Sequence, residues 1–117
     1  MQMRAGMQVP SESDQLTADQ VEVAVATFAM LAEPTRIRLL WCLLGGEYAV
    51  SELAELTGSA PSAVSQHLAK LRLARLVRYR RDGRRILYTT NSSHVGRLLE
   101  EALHHADHVA QGHPEHA

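Results

Sequence analysis

The stretch "SELAELTGSAPSAVSQHLAKLRLARL", Ser51 to Leu76, is compatible with few folds. Ser51 can cap a short helix, and Gly58 can close it because glycine takes the left-handed backbone conformation at little cost. Pro61 suits the first turn of a second helix, where its missing N–H is not needed. On that helix Val64, Leu68, Leu71 and Leu76 recur at helical spacing and predict an inward face. Two short helices joined by a tight glycine-bearing turn predict a helix-turn-helix. The segment "LVRYRRDGRRILYTT" follows, with two strand-forming runs around Asp82-Gly83. Asp-Gly between such runs is a strong hairpin signal.

The flanks read as helices. Thr17-Ala18-Asp19-Gln20 is a capping box, with Thr17 able to cap and Gln20 able to reach back to it. Val21, Val25, Phe28 and Ala32 then fall at helical spacing. Pro34 ends that helix and opens another, whose apolar face is Ile37, Leu40, Trp41 and Leu44 and which Gly45-Gly46 stops. A last helix is expected over about residues 93–110, capped by the cluster at 91–93 and broken by Gly112 and Pro114. The order of elements predicts a mainly α (α+β) winged helix-turn-helix with a β-hairpin wing and N- and C-terminal dimerisation helices. Residues 1–16, polar and without period, are expected to be a disordered leader. Residues 17–110 form the expected DNA-binding and dimerisation domain, and 111–117 a histidine-containing tail.

Composition excludes several classes. A chain of 117 residues, 45% hydrophobic, is one small domain whose apolar surface a partner subunit would help to cover. The longest apolar run, Leu39 to Leu44, is too short to cross a bilayer. Met1 to Gln15 is polar and lacks the apolar core of a signal peptide. The single Cys42 excludes an internal disulfide framework, so a cytoplasmic protein is expected. Inside "LLWCLL" Cys42 reads as a buried, inert thiol. No nucleophile–base pairing, phosphate loop or HExxH motif occurs, and adjacent Glu100 and Glu101 point to different faces, so no enzyme is expected.

The net charge of −1 hides a local concentration. Lys70, Arg72, Arg75, Arg78, Arg80, Arg81, Arg84 and Arg85 lie together, with Asp82 the one acid among them. Such a stripe suits a phosphate backbone. With Val64, Leu68 and Leu71 inward, Ser62, Ser65, Gln66, His67 and Lys70 are left to face outward, where short polar side chains can meet base edges and phosphates in a major groove. His67 is either a residue of that face or a packing residue. Arg84 and Arg85 at the hairpin tip are placed to reach a neighbouring minor groove or its phosphates. The expected partner is double-stranded operator DNA.

The chain ends "SSHVGRLLEEALHHADHVAQGHPEHA", which holds all its histidines except His67. At about 100° per residue, His94, Glu101, His105 and His108 share one narrow face of the last helix. The apolar Val95, Leu98, Ala102, Ala106 and Val109 lie on the adjacent arc. His94 stands roughly 16 Å from His105 along the axis, so one helix cannot bring them to one ion. Two antiparallel copies about a two-fold axis near Glu101 would bring His94 of one chain to His105 and His108 of the other. Imidazole donors suit Zn, Ni, Co and Cu.

The segments "MLAEPTRIRLLWCL", "SELAELTG", "SAVSQHLAKLRLARLV" and "RRDGRRILY" together resemble the ArsR/SmtB family of winged-helix metal-sensing repressors, over about residues 20–110. The resemblance is nearest to its nickel/cobalt sensors of the NmtR and KmtR type. It implies a homodimer that binds an inverted-repeat operator when metal-free and releases it when metal binds. It also implies a last-helix site patterned Asp-x-His, ten residues, His-x-x-His. Here Ser92 stands at the Asp position, while His94, His105 and His108 match. The nickel/cobalt members recruit further ligands near the chain end, and His104, Asp107, His113 and His116 are the candidates here. A larger set of nitrogen and oxygen donors favours six-coordinate Ni²⁺ or Co²⁺, with Zn²⁺ as an alternative. The stretch "AVSELAEL" lacks the Cys-x-Cys by which other members hold metal. A regulator of the same family answering to Zn²⁺, to redox state through Cys42 or to an organic ligand is a second reading. A histidine-rich metal carrier without DNA binding is a third.

Overall fold

The structure, a computed structural model, describes residues 15–91 and 93–112. Its elements are α1 (Ala18–Leu31), α2 (Pro34–Leu44), α3 (Val50–Thr57), α4 (Pro61–Leu73), β1 (Val77–Asp82), β2 (Arg85–Thr90) and α5 (Ser93–Ala110). This is a winged helix-turn-helix: α3 and α4 are the two helices of the turn, and the β1–β2 hairpin is the wing.

Local chemistry explains the boundaries. The expected capping box opens α1, with Thr17 Oγ1 accepting from the Gln20 N–H at 3.0 Å and Gln20 Oε1 accepting from the Thr17 N–H at 2.9 Å. Pro34 begins α2, and Glu33 caps it by accepting from the Arg36 N–H at 2.7 Å. Helix α3 starts earlier than the cap expected at Ser51. Its N-cap is Ala49, whose missing side-chain acceptor is offset by Glu52 Oε1, which accepts from the Ala49 N–H at 2.8 Å. Gly58 closes α3 and Pro61 opens α4, as expected. Helix α4 ends in a Schellman motif, with the Leu76 N–H donating to Leu71 O at 2.9 Å and the Arg75 N–H to Arg72 O at 2.9 Å. Arg75 takes the left-handed conformation there, at φ 64°. The expected caps of α5 include Ser92, which lies outside the described residues. Asn91 Nδ2 donates at 3.4 Å to Arg75 O, so its side chain is turned toward the end of α4.

The strands are antiparallel, with Val77 opposite Thr90 and Asp82 opposite Arg85. Gly83 and Arg84 form the loop, one residue later than Asp82-Gly83. Gly83 at φ 65° takes the first loop position, which a type II′ turn reserves for glycine. Tyr48, between α2 and α3, adds a one-residue bridge to the wing through paired backbone bonds with Tyr88 at 3.1 and 2.8 Å. Tyr79 and Tyr88 face each other across the strands, ring centroids 5.6 Å apart. The Arg72 guanidinium lies 4.5 Å from the Tyr79 ring centre and ties α4 to β1.

The core is built from Leu39, Leu40 and Leu43 of α2, Leu53 of α3, Val64, Leu68 and Leu71 of α4, Leu76, Val77, and Val95 and Leu99 of α5. The inward face expected of α4 is buried. Helix α5 comes so close to α2 that a Cβ on Gly96 would stand 2.9 Å from Leu44 Cδ2. Two apolar stripes read from periodicity are only partly within this core. On α1, Val21, Val25 and Phe28 are exposed and Leu31 is buried; on α2, Trp41 is half exposed. No described helix is long and apolar enough to cross a membrane.

Candidate nucleic-acid interface and histidine helix

Ser62, Ser65, Gln66 and Lys70 are exposed on α4, on the side away from Val64, Leu68 and Leu71. His67 is placed differently. Its ring is turned toward α2, with Nδ1 accepting from Arg36 Nε at 3.2 Å and Nε2 3.8 Å from Glu33 Oε2. The packing role weighed for it is the one this geometry supports. Sequence inspection missed Arg36 and Glu33 as its partners, because a contact 31 residues apart in the chain has no local signal.

The basic stripe is divided by two acids. Arg80 makes a two-bond pair with Glu47, Nε to Oε2 at 2.8 Å and Nη2 to Oε1 at 2.7 Å. Arg85 Nη2 lies 2.8 Å from Glu52 Oε1. The Arg80 bonds hold the Glu47 carboxyl below its ordinary range, against slight desolvation. The Ala49 N–H, and after it Arg85, do the same for Glu52. Arg84 stands exposed in the wing turn, and Lys70, Arg75, Arg78 and Arg81 are exposed along α4 and β1. Exposed cations thus occur on α4, on β1 and in the wing turn. Neither Glu47 nor Glu52 was expected to temper the stripe, though Glu52, three residues beyond the N-cap of α3, is where a capping carboxylate belongs.

On α5, His94, His104, His105 and Asp107 are exposed and His108 is half-buried. His104 and His108 stand one turn apart with ring centroids 5.1 Å from each other. His94 Nδ1 lies 2.8 Å from Arg97 Nη2; since guanidinium only donates, this nitrogen is the acceptor. Asp107 Oδ2 accepts from Gln111 Nε2 at 3.0 Å. His113 and His116 lie outside the described residues. Among the described residues of one protomer, no three His, Cys, Asp or Glu side chains converge on a metal position. The donors are nevertheless of the right kind: imidazoles and a carboxylate on an exposed helical face suit Ni²⁺, Co²⁺ or Zn²⁺ once further donors arrive. Cys42 lies on α2, away from this face, in a groove of about 530 Å³ with Trp41, Leu56 and Leu103, and burial pushes its thiol up from the ordinary 9.0. Beside the histidines, a second groove of about 340 Å³ runs between α1 and α5, lined by Phe28, Leu31, Leu98 and Ala102.

Comparison with known proteins agrees with this architecture. Residues 33–79 match the model of the bacterial regulatory protein, arsR family. The chain is 48% identical over 110 residues to the HTH-type transcriptional regulator KmtR of Mycobacterium tuberculosis, covering 94% of this chain and 85% of that one. Among solved structures, the AntR antimony-specific transcriptional repressor superposes with a TM-score of 0.79 at 31% identity, covering 95% of this chain and 98% of its own. The homodimeric winged helix-turn-helix DNA-binding domain Mb0332 from Mycobacterium bovis superposes with a TM-score of 0.74 at 30% identity, covering 86% of this chain and 93% of its own. The chain therefore belongs to the arsR family of bacterial regulatory proteins, DNA-binding transcriptional regulators and not enzymes.

Proposed function

We propose that this regulator is a metal-responsive repressor: a homodimer that grips an inverted-repeat operator when metal-free and loses its grip when Ni²⁺ or Co²⁺ binds. The observation that carries the reading is the continuity of two features. The histidine face of α5 borders the uncovered groove between α1 and α5, so a second copy seated on that groove would lie against the imidazoles. Among the described residues of one protomer no donor set converges, and a two-fold seam would complete one from the partner. His94, His105 and His108 would hold the ion, with His104, Asp107, His113 and His116 as further donors. A divalent ion at that seam would supply a cross-link between the two last helices.

Operator reading falls to Ser62, Ser65, Gln66 and Lys70 of α4, and phosphate contact to Arg84 of the wing, with Arg85 able to join it once freed from Glu52. Their exposure, on the helix that follows the turn and at the wing tip, supports this assignment. Two α4 helices set about one DNA turn apart would meet successive major grooves. A metal-bound dimer geometry that fits this spacing poorly releases DNA, and by linkage DNA weakens metal binding by the same factor. Zn²⁺ is a lesser fit, because Ser92 stands where its tetrahedral site would need Asp. A redox response through Cys42 fits less well, since burial disfavours the reactive thiolate.

The test is a gel shift with operator DNA in the absence and presence of Ni²⁺, Co²⁺ or Zn²⁺. Loss of the complex with Ni²⁺ or Co²⁺ is expected, and its retention with every divalent ion refutes the proposal. In the same assay Gln66→Ala should lose about 1–3 kcal/mol of specific binding.

A further inference from the structure

Arg36 joins three helices through one guanidinium. Its Nη1 donates to Met30 O at 3.0 Å in the last turn of α1 and lies 3.1 Å from Met30 Sδ. Its own backbone sits in the first turn of α2, capped by Glu33. Its Nε donates across to His67 Nδ1 of α4 at 3.2 Å. Because guanidinium has no lone pair to offer, His67 Nδ1 must be the bare nitrogen, and in the neutral ring the proton sits on Nε2. That N–H faces Glu33 Oε2 at 3.8 Å, so both ring nitrogens are directed inward. The ring is only one-fifth exposed, although its chain neighbours Ser65 and Gln66 are exposed.

We propose that His67 is a positioning residue for DNA recognition: with Arg36 and Glu33 it clasps the reading helix α4 to the corner between α1 and α2. This rests on α4 being the reading helix. The physical reason is leverage. The apolar contacts of Val64, Leu68 and Leu71 hold α4 against the core but are non-directional, and they tolerate small rotations about the helix axis. A planar ring held through a directed N–H bond does not. Helix α1 carries the exposed apolar face, so a partner packed on α1 acts on the same corner that Arg36 grips. The clasp thereby sets the angle of α4 relative to the dimer axis, and with it the half-site spacing that the dimer accepts.

The test uses the full chain and duplexes that it selects from a random-sequence pool, with the spacing between half-sites changed by one or two base pairs. His67→Ala should lower affinity for the best-spaced duplex about tenfold, the size of a lost charge-assisted hydrogen bond. It should leave an isolated half-site within about twofold and flatten the dependence on spacing. His67→Asn, whose Oδ1 can accept from Arg36, should restore the spacing dependence, and Arg36→Lys should not. An unchanged spacing profile, or an equal loss on the half-site, overturns the proposal; equal loss would mean that His67 touches DNA. Nitrogen NMR of the unsubstituted protein provides a readout that needs no variant to fold. His67 Nδ1 should resonate as an unprotonated nitrogen and Nε2 as a protonated one, and the reverse pattern overturns the clasp. A Gln66→Ala variant with unaltered base preference would remove α4 as the reading helix and the proposal with it, and the NMR pattern tells that failure from a missing clasp.

Discussion

Glu52 Oε1 accepts from the Ala49 N–H at 2.8 Å and lies 2.8 Å from Arg85 Nη2, so the oxygen that caps α3 also anchors the wing. Removing the charge while keeping an acceptor separates the two roles. Glu52→Gln should leave α3 capped and release Arg85 toward phosphate. The plot of log affinity against log salt should then steepen by about one, the contribution of one added phosphate contact. Binding titrations at several salt concentrations measure this, and an unchanged slope would show that Arg85 gains no phosphate contact on release.

Glu33, Glu47 and Glu52 share a pH dependence. All three carboxyls are held below their ordinary 4.5, Glu33 chiefly by the Arg36 N–H, Glu47 by Arg80 and Glu52 by the Ala49 N–H. A carboxyl depressed in the folded state stabilises it above the unfolded value and loses that effect as pH falls through the folded value. The melting temperature should therefore change little because of these groups from neutral pH down to about 5 and fall as pH drops below 4.5. Thermal melts of the protein and of the triple Gln variant should diverge at neutral pH and converge at low pH. Parallel curves would refute the assignment.

Arg75 holds φ 64° at the end of α4, where glycine is usual. The left-handed conformation costs a side-chain-bearing residue about 1–2 kcal/mol, against about 0.5–1 kcal/mol for the extra chain entropy of glycine. The steric cost is the larger of the two, so Arg75→Gly should stabilise the fold by roughly 0.5–1 kcal/mol. Urea unfolding measures it. A destabilisation of that size would mean that the Arg75 side chain contributes more than its backbone costs.

Phe28, Val25 and Val21 on α1 are each at least 45% exposed. Phe28→Asp would set a charge on the groove formed with α5 and should yield a monomer with an intact far-UV spectrum and weakened operator binding. Light scattering after size exclusion decides it, and a dimer of unchanged affinity would exclude this groove as the seam.

Much of the fold was legible because its signals are local. The Thr17–Gln20 box, Pro34, Gly58, Pro61 and the hairpin glycine each act within a few residues, and the periodic Val64, Leu68 and Leu71 need only their own helix. Ser51 misled because the cap of α3 is made by Glu52 reaching back to Ala49, with no hydroxyl needed. The exposure of Trp41 and of the α1 stripe was not legible, because periodicity marks an apolar stripe without saying whether its cover lies in the same chain.

The order of elements, the apolar side of α4, the basic run and the histidine spacing along α5 were set by the chain alone, since neighbours within a turn or a hairpin meet in any fold that contains them. Tertiary structure alone decided that His67 turns to Arg36 and Glu33 and that Glu47 and Glu52 occupy Arg80 and Arg85. Both depend on segments far apart in the chain arriving at one place.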